Sequence, residues 1–273
     1  MQPIRRQLLA AASASLLLLL SGCAATPPKE EFKPTVGQAG KDVIWVPTPD
    51  AVVERMLDMA QVKRGDKVVD LGSGDGKIAI AAAKRGASAR GIEYNPDMVT
   101  VARRSAREQR VDVDFQQGDI FVSNFKDADV ITLYLLPHLN EKLRPILLDM
   151  RPGTRVTSHQ FTMGDWKPDR TDDLSGRDAH LWIVPAKVAG SWTLQVEGQP
   201  PVQLQLQQTY QVLQGTATVG GSRTELTAAE LRGPAIKFSA GPMQFEGTAD
   251  HNGRMSGTVR TAAGPRKFTG TRS

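Results

Sequence analysis

The sequence predicts an α/β protein in two folded parts, a doubly wound parallel sheet followed by an antiparallel β-domain. Three observations carry this prediction. From Lys67 to Phe161 short apolar runs alternate with helical patterns. The run Val68-Val69-Asp70-Leu71 enters an acidic, glycine-rich turn, Gly72-Ser73-Gly74-Asp75-Gly76, and then an alanine-rich helix. After Gly190 apolar and polar residues alternate with period two.

At 273 residues the chain has room for two folding units of about 100 to 200 residues each. Removing Arg5 and Arg6, which belong to a segment read below as cleaved, from the 34 basic side chains leaves 32 against 29 acidic ones, a net +3. That balance is too weak to imply a nucleic-acid partner. Cys23 is the only cysteine, which excludes an internal disulfide, a catalytic cysteine elsewhere and a cysteine-clustered metal site. His138, His159, His180 and His251 are scattered without ligand spacing, so no metal is expected.

Arg5 and Arg6 precede an apolar run over residues 8–20 that ends in Leu20-Ser21-Gly22-Cys23. A positive flank, a short greasy stretch and small residues form the layout of an export signal. The run is shorter than the roughly 20 residues of a membrane span and is broken by Ser13 and Ser15. Leu-Ser-Gly-Cys resembles the lipobox of bacterial lipoproteins, which implies cleavage before Cys23, its lipidation and a membrane anchor. Ala24 implies the outer membrane in a two-membrane cell, hence its periplasmic face. The plainer alternative is an uncleaved signal anchor with an incidental cysteine. Residues 24–41, with Pro27, Pro28, Pro34, Gly37 and Gly40 among charges, read as a tether.

Residues 50–62 place Val52, Val53, Met56, Leu57 and Ala60 on one helical face, with Thr48 as N-cap and Pro49 at the first helical position. Strand 67–71 and a helix to about residue 85 follow, stopped by Gly86. A second strand over 89–93 ends in Glu93, 17 positions after Gly76, where nucleotide-binding α/β folds place an acid on the ribose hydroxyls. Asn95-Pro96 starts a helix to about residue 108. Strands over 111–116 and 128–135 deliver Gly118-Asp119-Ile120 and Tyr134, residues 140–150 are helical around Pro145, and strands follow over 155–161 and 180–185. Asp70, Glu93, Asp119 and Tyr134 thus all fall at the carboxyl ends of strands, where such sheets bind ligands. Residues 163–179 lack a convincing helix, which leaves the sheet's last edge open.

The turn fits no phosphate-binding pattern. Counting from Gly72 and Gly74, Lys77 stands where the third glycine of the dinucleotide fingerprint belongs, which disfavours an oxidoreductase. The phosphate loop fails at Leu71 and Ile78. Asp70 and Asp75 repel a pyrophosphate and suit an amine or a sulfonium.

Residues 69–76 resemble the first motif of class I S-adenosylmethionine-dependent methyltransferases, a Rossmann-like fold. From Val46-Pro47-Thr48-Pro49 to Asp165-Trp166-Lys167-Pro168-Asp169 the chain is similar to a small protein-lysine methyltransferase group that includes mitochondrial enzymes acting on the ATP synthase c-ring protein. The likeness covers residues 43–188 and implies S-adenosylmethionine as cofactor. It further implies that Asp70, Gly72, Gly74 and Gly76 shape the methionine end, with Ser73 and Asp75 beside it and Thr48 closing over it. Glu93 then holds the ribose and Asp119 the adenine amine, while Tyr94 and Ile120 pack on the ring. Tyr134 is the candidate catalytic residue, orienting the acceptor, and His159 is a weaker candidate read first as a structural histidine. The implied partner is a methyl acceptor, a protein side chain such as lysine. Export separates such an enzyme from cytosolic cofactor, and Arg5-Arg6 suggests twin-arginine export of a protein already folded around it, although Gln7-Leu8-Leu9 matches that signal incompletely.

In the second part Trp192, Leu194 and Val196, then Val202, Leu204 and Leu206, alternate with polar residues. Gly-Thr recurs at 215–216, 247–248, 257–258 and 270–271, read as the ends of strands in an antiparallel meander. Arg260, Arg266, Lys267 and Arg272 suit anionic lipid or are simply a solvated face. The expected domains are therefore a signal peptide (1–22), a tether (23–41), a Rossmann-like methyltransferase domain (42–188) and an all-β domain (189–273). A non-catalytic envelope lipoprotein, with the first domain as a nucleoside-binding or scaffold module, is the alternative.

Overall fold

The computed structural model describes residues 32–40 and 44–273. The signal peptide, Cys23, Ala24 and the first part of the tether lie outside the described residues. Residues Lys33–Ser273 form one compact unit.

The elements of the first part are α1 (Asp50–Met59), β1 (Lys67–Leu71), α2 (Lys77–Lys84), β2 (Ser88–Glu93), α3 (Pro96–Glu108), β3 (Val113–Gln117), β4 (Val130–Leu133), α4 (Pro137–Leu148), β5 (Arg155–His159), β6 (Arg170–Asp173) and β7 (Asp178–Ile183). They build a seven-stranded sheet in the order β3-β2-β1-β4-β5-β7-β6. Strands β1 to β5 are parallel, and β7 runs antiparallel to both neighbours. The chain reverses direction across the sheet between β1 and β4, which opens a crevice at the carboxyl ends of the strands.

Side-chain alternation along β1 divides the core. Val68 joins a cluster with Val52, Met56, Ile78, Val99 and Ala102 of α1, α2 and α3, while Val69 and Leu71 point into the opposite layer. That second layer is thinner than a doubly wound sheet implies, because no helix follows β3 or β5. It is filled by Leu139, Leu143 and Leu147 of α4 together with Trp166 and Trp182, whose indole N–H donates to the Trp166 carbonyl at 2.8 Å. Tyr210, from the second part, stacks on Trp166 with ring centroids 6.3 Å apart.

Several boundaries depart from the sequence reading. Pro49, not Thr48, occupies the N-cap position of α1, and no side chain caps that helix. Thr48 is instead buried against His159. Helix α4 begins at Pro137, whose fixed φ suits a first helical turn, three residues before the expected start. The sheet edge left open is β6, a polar strand that Asp172 ties down through Arg55 and Arg170. Part of the segment read as a tether folds back. Gly37 N–H donates to the Trp45 carbonyl and Trp45 N–H to the Gln38 carbonyl, both at 2.9 Å, and Ala39 pairs with Ile44.

The second part is a closed barrel. Strands β8 (Gly190–Val196), β9 (Val202–Thr209), β10 (Val212–Val219), β11 (Ser222–Arg232), β12 (Ala235–Ala240), β13 (Met243–Ala249), β14 (Arg254–Thr261) and β15 (Gly264–Arg272) pair antiparallel in sequence order, and β15 closes on β8. Inward residues fill the interior, among them Trp192 and the stacked pair Phe238 and Phe245, 4.7 Å apart. The recurrent Gly-Thr pairs lie inside strands, not at their ends. A Cβ on Gly247 would stand 2.2 Å from the Ser256 carbonyl oxygen, so these glycines permit the tight strand approach that closing an eight-stranded barrel requires.

His251 joins the barrel to the α/β part. Its Nδ1 accepts the Lys187 N–H at 3.3 Å and its Nε2–H donates to the Met150 carbonyl at 2.8 Å, which fixes the neutral Nε2–H tautomer. At roughly 0.5 to 1.5 kcal/mol per hydrogen bond, His251→Ala is expected to cost about 1 to 2 kcal/mol in urea unfolding. An unchanged midpoint would show that the latch contributes nothing.

Candidate functional site

A cavity of about 290 Å³ opens at the carboxyl ends of β1, β2, β3 and β4, close to the small end of ligand pockets at roughly 300 Å³. Its floor is the β1–α2 turn. Gly76 has φ +84°, and a Cβ there would lie 2.4 Å from Phe115 Cζ; at Gly74 it would lie 2.9 Å from Trp45 Nε1. The glycines therefore serve the packing of the turn against the core and the N-terminal segment as well as access to the cavity. The start of α2 is less open than the sequence suggests, because the Asp75 carboxylate accepts the Lys77 N–H at 3.3 Å. Burial raises the Asp75 pKa, against the lowering effect of that hydrogen bond and of the Lys77 charge.

Apart from Gly76 and the weaker candidate His159, every residue expected at the site lines this cavity. Asp70 is fully buried and accepts the Thr132 hydroxyl at 2.7 Å. Desolvation pushes its carboxyl up to about 7, opposed by Thr132 and reinforced by the charges of Asp75 and Glu93. Glu93 Oε2 accepts the Gly74 N–H and its Oε1 the Asn95 N–H, both at 2.9 Å. Two backbone bonds lock that carboxylate, and each oxygen keeps a further lone pair for a ligand hydroxyl. Asp119 Oδ1 accepts the Phe121 N–H at 2.9 Å, with Ile120 half-buried and Tyr94 half-exposed along the same wall. The Ser73 hydroxyl is buried without a protein partner and lies 2.7 Å from where a Cβ on Gly91 would stand, against β2.

At the other end Tyr134 packs against His159, ring centroids 4.0 Å apart, and near Phe161 at 6.2 Å. Thr48 Oγ1 is 3.3 Å from His159 Nδ1. Burial lowers the His159 pKa to about 4, helped by Arg177 and His180, so the imidazole is neutral at physiological pH. Burial also raises the Tyr134 phenol, with Arg177 opposing. The phenol keeps its proton at neutral pH and is a hydrogen-bonding group rather than a base.

The sequence reading missed the cover of the cavity. Trp45 stands over the turn, and Gln38 Nε2 reaches Met98 Sδ at 3.5 Å. The signal was present in the aromatic-proline string Trp45-Val46-Pro47-Thr48-Pro49, which no amphipathic period accompanies. Asn95 and Met98, seen only as helix residues, also line the site.

The chemistry of the lining fits a nucleoside that carries cationic groups and no phosphate. Among the described lining residues stand four carboxylates (Asp70, Asp75, Glu93, Asp119) and one ammonium, Lys77, already paired with Asp50 at 2.9 Å. Ile120, Phe121, Met98 and Leu135 supply apolar walls for a base.

Comparison with known proteins agrees with that chemistry. Residues 70–170 match the family model of the ANTKMT methyltransferase domain. A protein-lysine N-methyltransferase of Saccharolobus islandicus is 40% identical over 151 residues, which cover 52% of this chain and 94% of that protein. The lysine N-methyltransferase of Rattus norvegicus that acts on the ATP synthase c-ring protein is 35% identical over 133 residues, 46% of this chain, and the match spans 60% of its length. The crystal structure of an RNA methyltransferase from Salinibacter ruber with S-adenosyl-L-homocysteine is 52% identical, with a TM-score of 0.52, over 52% of this chain and 96% of that one. These matches set aside the scaffold alternative: the chain belongs to the S-adenosylmethionine-dependent methyltransferase family that includes these protein-lysine N-methyltransferases.

Proposed function

We propose that this methyltransferase acts on a lysine side chain of an envelope protein while anchored to the membrane through Cys23, on the periplasmic face of the outer membrane. The observation that carries the acceptor class is the charge of the cavity, four carboxylates against one paired ammonium. That field attracts an ammonium side chain and repels a phosphate backbone. The naming of two relatives as lysine methyltransferases supports the same reading.

When bound, S-adenosylmethionine supplies an electrophilic methyl group on a sulfonium. Asp70 and the turn at Gly72, Ser73, Gly74, Asp75 and Gly76 hold its methionine end, Glu93 its ribose, and Asp119, Tyr94 and Ile120 its base. Thr48 closes the acceptor side. A lysine amine must be neutral to act as a nucleophile, and the apolar surroundings of Phe161, Leu136 and Tyr134 favour its uncharged form. The protonated Tyr134 phenol orients the amine through its oxygen, and the neutral His159 behind it fixes the ring without adding a repelling charge. Positioning supplies the greater part of such catalysis.

Tyr134→Phe is accordingly expected to lower kcat by about tenfold to a hundredfold, leaving cofactor affinity unchanged. Equal kcat in the variant would remove the orienting role. The acceptor class is tested by incubating the purified protein and labelled S-adenosylmethionine with envelope proteins and, separately, with RNA. Label on lysines, located by mass spectrometry, is the expected result, and label on RNA alone would overturn it.

A further inference from the structure

We infer that the rim of the cofactor cavity seats in the interfacial layer of a lipid bilayer, so that the site opens onto the membrane surface. This rests on the reading that Cys23 anchors the chain. Among the described residues six large apolar side chains are exposed: Val36, Ile44, Val46, Tyr94, Val122 and Val212. Five of them belong to one region. Ile44, Val46 and Tyr94 line the cavity, and Val122, 84% exposed, follows the lining residue Phe121. Val36, 64% exposed, precedes Gly37, whose N–H is bonded to Trp45 over the turn. Isolated surface apolar residues are ordinary, whereas a group of them around one opening marks an interaction surface.

The chain length points to the bilayer as the occupant. Val36 is 13 residues after Cys23, a reach of at most roughly 45 Å even when fully extended. The rim therefore never leaves the neighbourhood of the anchored leaflet. A flexible tether of this length supplies an effective concentration on the order of millimolar, so a rim with weak intrinsic affinity is held in place. The composition agrees, with aliphatic side chains beside Tyr94, whose amphipathic ring suits the headgroup layer. Lys142 Nζ lies 3.8 Å over the Phe121 ring, a cation placed beside the exposed apolar tip as anionic headgroups require. Five side chains also fall short of the roughly 20 to 30 residues a side of a stable protein interface, which argues against a second copy. The consequence is a choice of substrate: an acceptor amine is presented at headgroup level rather than free in solution.

The test uses residues 24–273, which retain the compact unit Lys33–Ser273 and lack Cys23. Flotation is measured with vesicles of phosphatidylethanolamine and phosphatidylglycerol, for this chain and for Val36→Ser/Val122→Ser, two positions outside the cavity lining. Cofactor affinity is measured on both by calorimetry. The expected result is vesicle binding that falls by about tenfold or more in the double variant, with unchanged S-adenosylmethionine affinity. Equal flotation of the variant would assign membrane contact elsewhere, such as the Arg260 and Lys267 face of the barrel, and overturn the inference. So would absence of vesicle binding by a protein that binds the cofactor, or a dimer that the variant dissociates. Failure to bind the cofactor strikes the proposed function instead, and the flotation result still stands for or against the rim.

Discussion

Asp70→Asn is expected to stabilise the cofactor-free protein above pH 7 and to weaken S-adenosylmethionine binding by about tenfold to a hundredfold, the range of one lost charge-assisted contact. The stability half follows from burial. The Asp70 carboxyl titrates near 7 in the folded chain, because desolvation outweighs the Thr132 hydrogen bond, whereas an unfolded aspartate titrates near 4. Between these values the folded protein keeps a proton that the unfolded chain has released. Stability therefore falls as pH rises through that window, by up to about 1.4 kcal/mol per pH unit, and levels off above 7. An asparagine carbonyl still accepts the Thr132 hydroxyl and carries no such dependence. Urea unfolding of both proteins from pH 4 to pH 8 checks this, and a variant less stable than the parent at pH 8 would contradict it. The cofactor half has the opposite sign in pH: the ionised carboxylate attracts a cationic ligand, so the affinity of the parent declines as pH falls below 7. Asp70 is held in an unfavourable environment whose return is binding.

The second large effect concerns the fold of the same turn. Gly76→Ala is expected to cost about 2 to 5 kcal/mol. A left-handed conformation costs an L-residue roughly 1 to 2 kcal/mol, and φ here is +84°. The new methyl also meets Phe115 Cζ at 2.4 Å and Ala102 Cβ at 3.0 Å, and overpacking of this kind costs roughly 1 to 3 kcal/mol. Phe115 is buried and cannot swing away. Urea unfolding measures the loss, and Phe115→Leu in the same background is expected to recover part of it as a coupling energy. A cost below about 1 kcal/mol would show that the turn relaxes. At Gly74 the obstructing group is the Trp45 indole on the short N-terminal segment, so the same substitution there acts on cofactor affinity more than on stability.

The contrast between these glycines shows what the sequence discloses. Asp70, Glu93 and Asp119 were legible because each ends a strand whose apolar run is short and bounded, and strand ends in a parallel sheet share one edge. That Gly76 answers to Phe115 was not legible, since the two are 39 positions apart and no local pattern links them. The cover at Gln38 and Trp45 escaped for a related reason. Its proline and glycine content reads as tether, and it is held by a few backbone hydrogen bonds and one indole rather than by an amphipathic face. Strand β6 is four polar residues whose only periodic partner is β7, so ion pairs at Asp172 mark it better than hydropathy does. The barrel strands announced themselves by alternation, but closure depends on β15 meeting β8 across the whole domain. The Gly-Thr pairs, read as strand ends, are where that closure is made possible.

The central claim is that the Asp70 turn binds a sulfonium nucleoside. Calorimetric titration of residues 24–273 with S-adenosylmethionine, beside NAD and an Asp70→Ala control, tests it most directly. The account predicts binding at one site by the parent chain, no heat with NAD, and loss of the site in the control. A well-folded parent that binds no S-adenosylmethionine, or a control that binds it equally well, would contradict the assignment of the cofactor to this cavity.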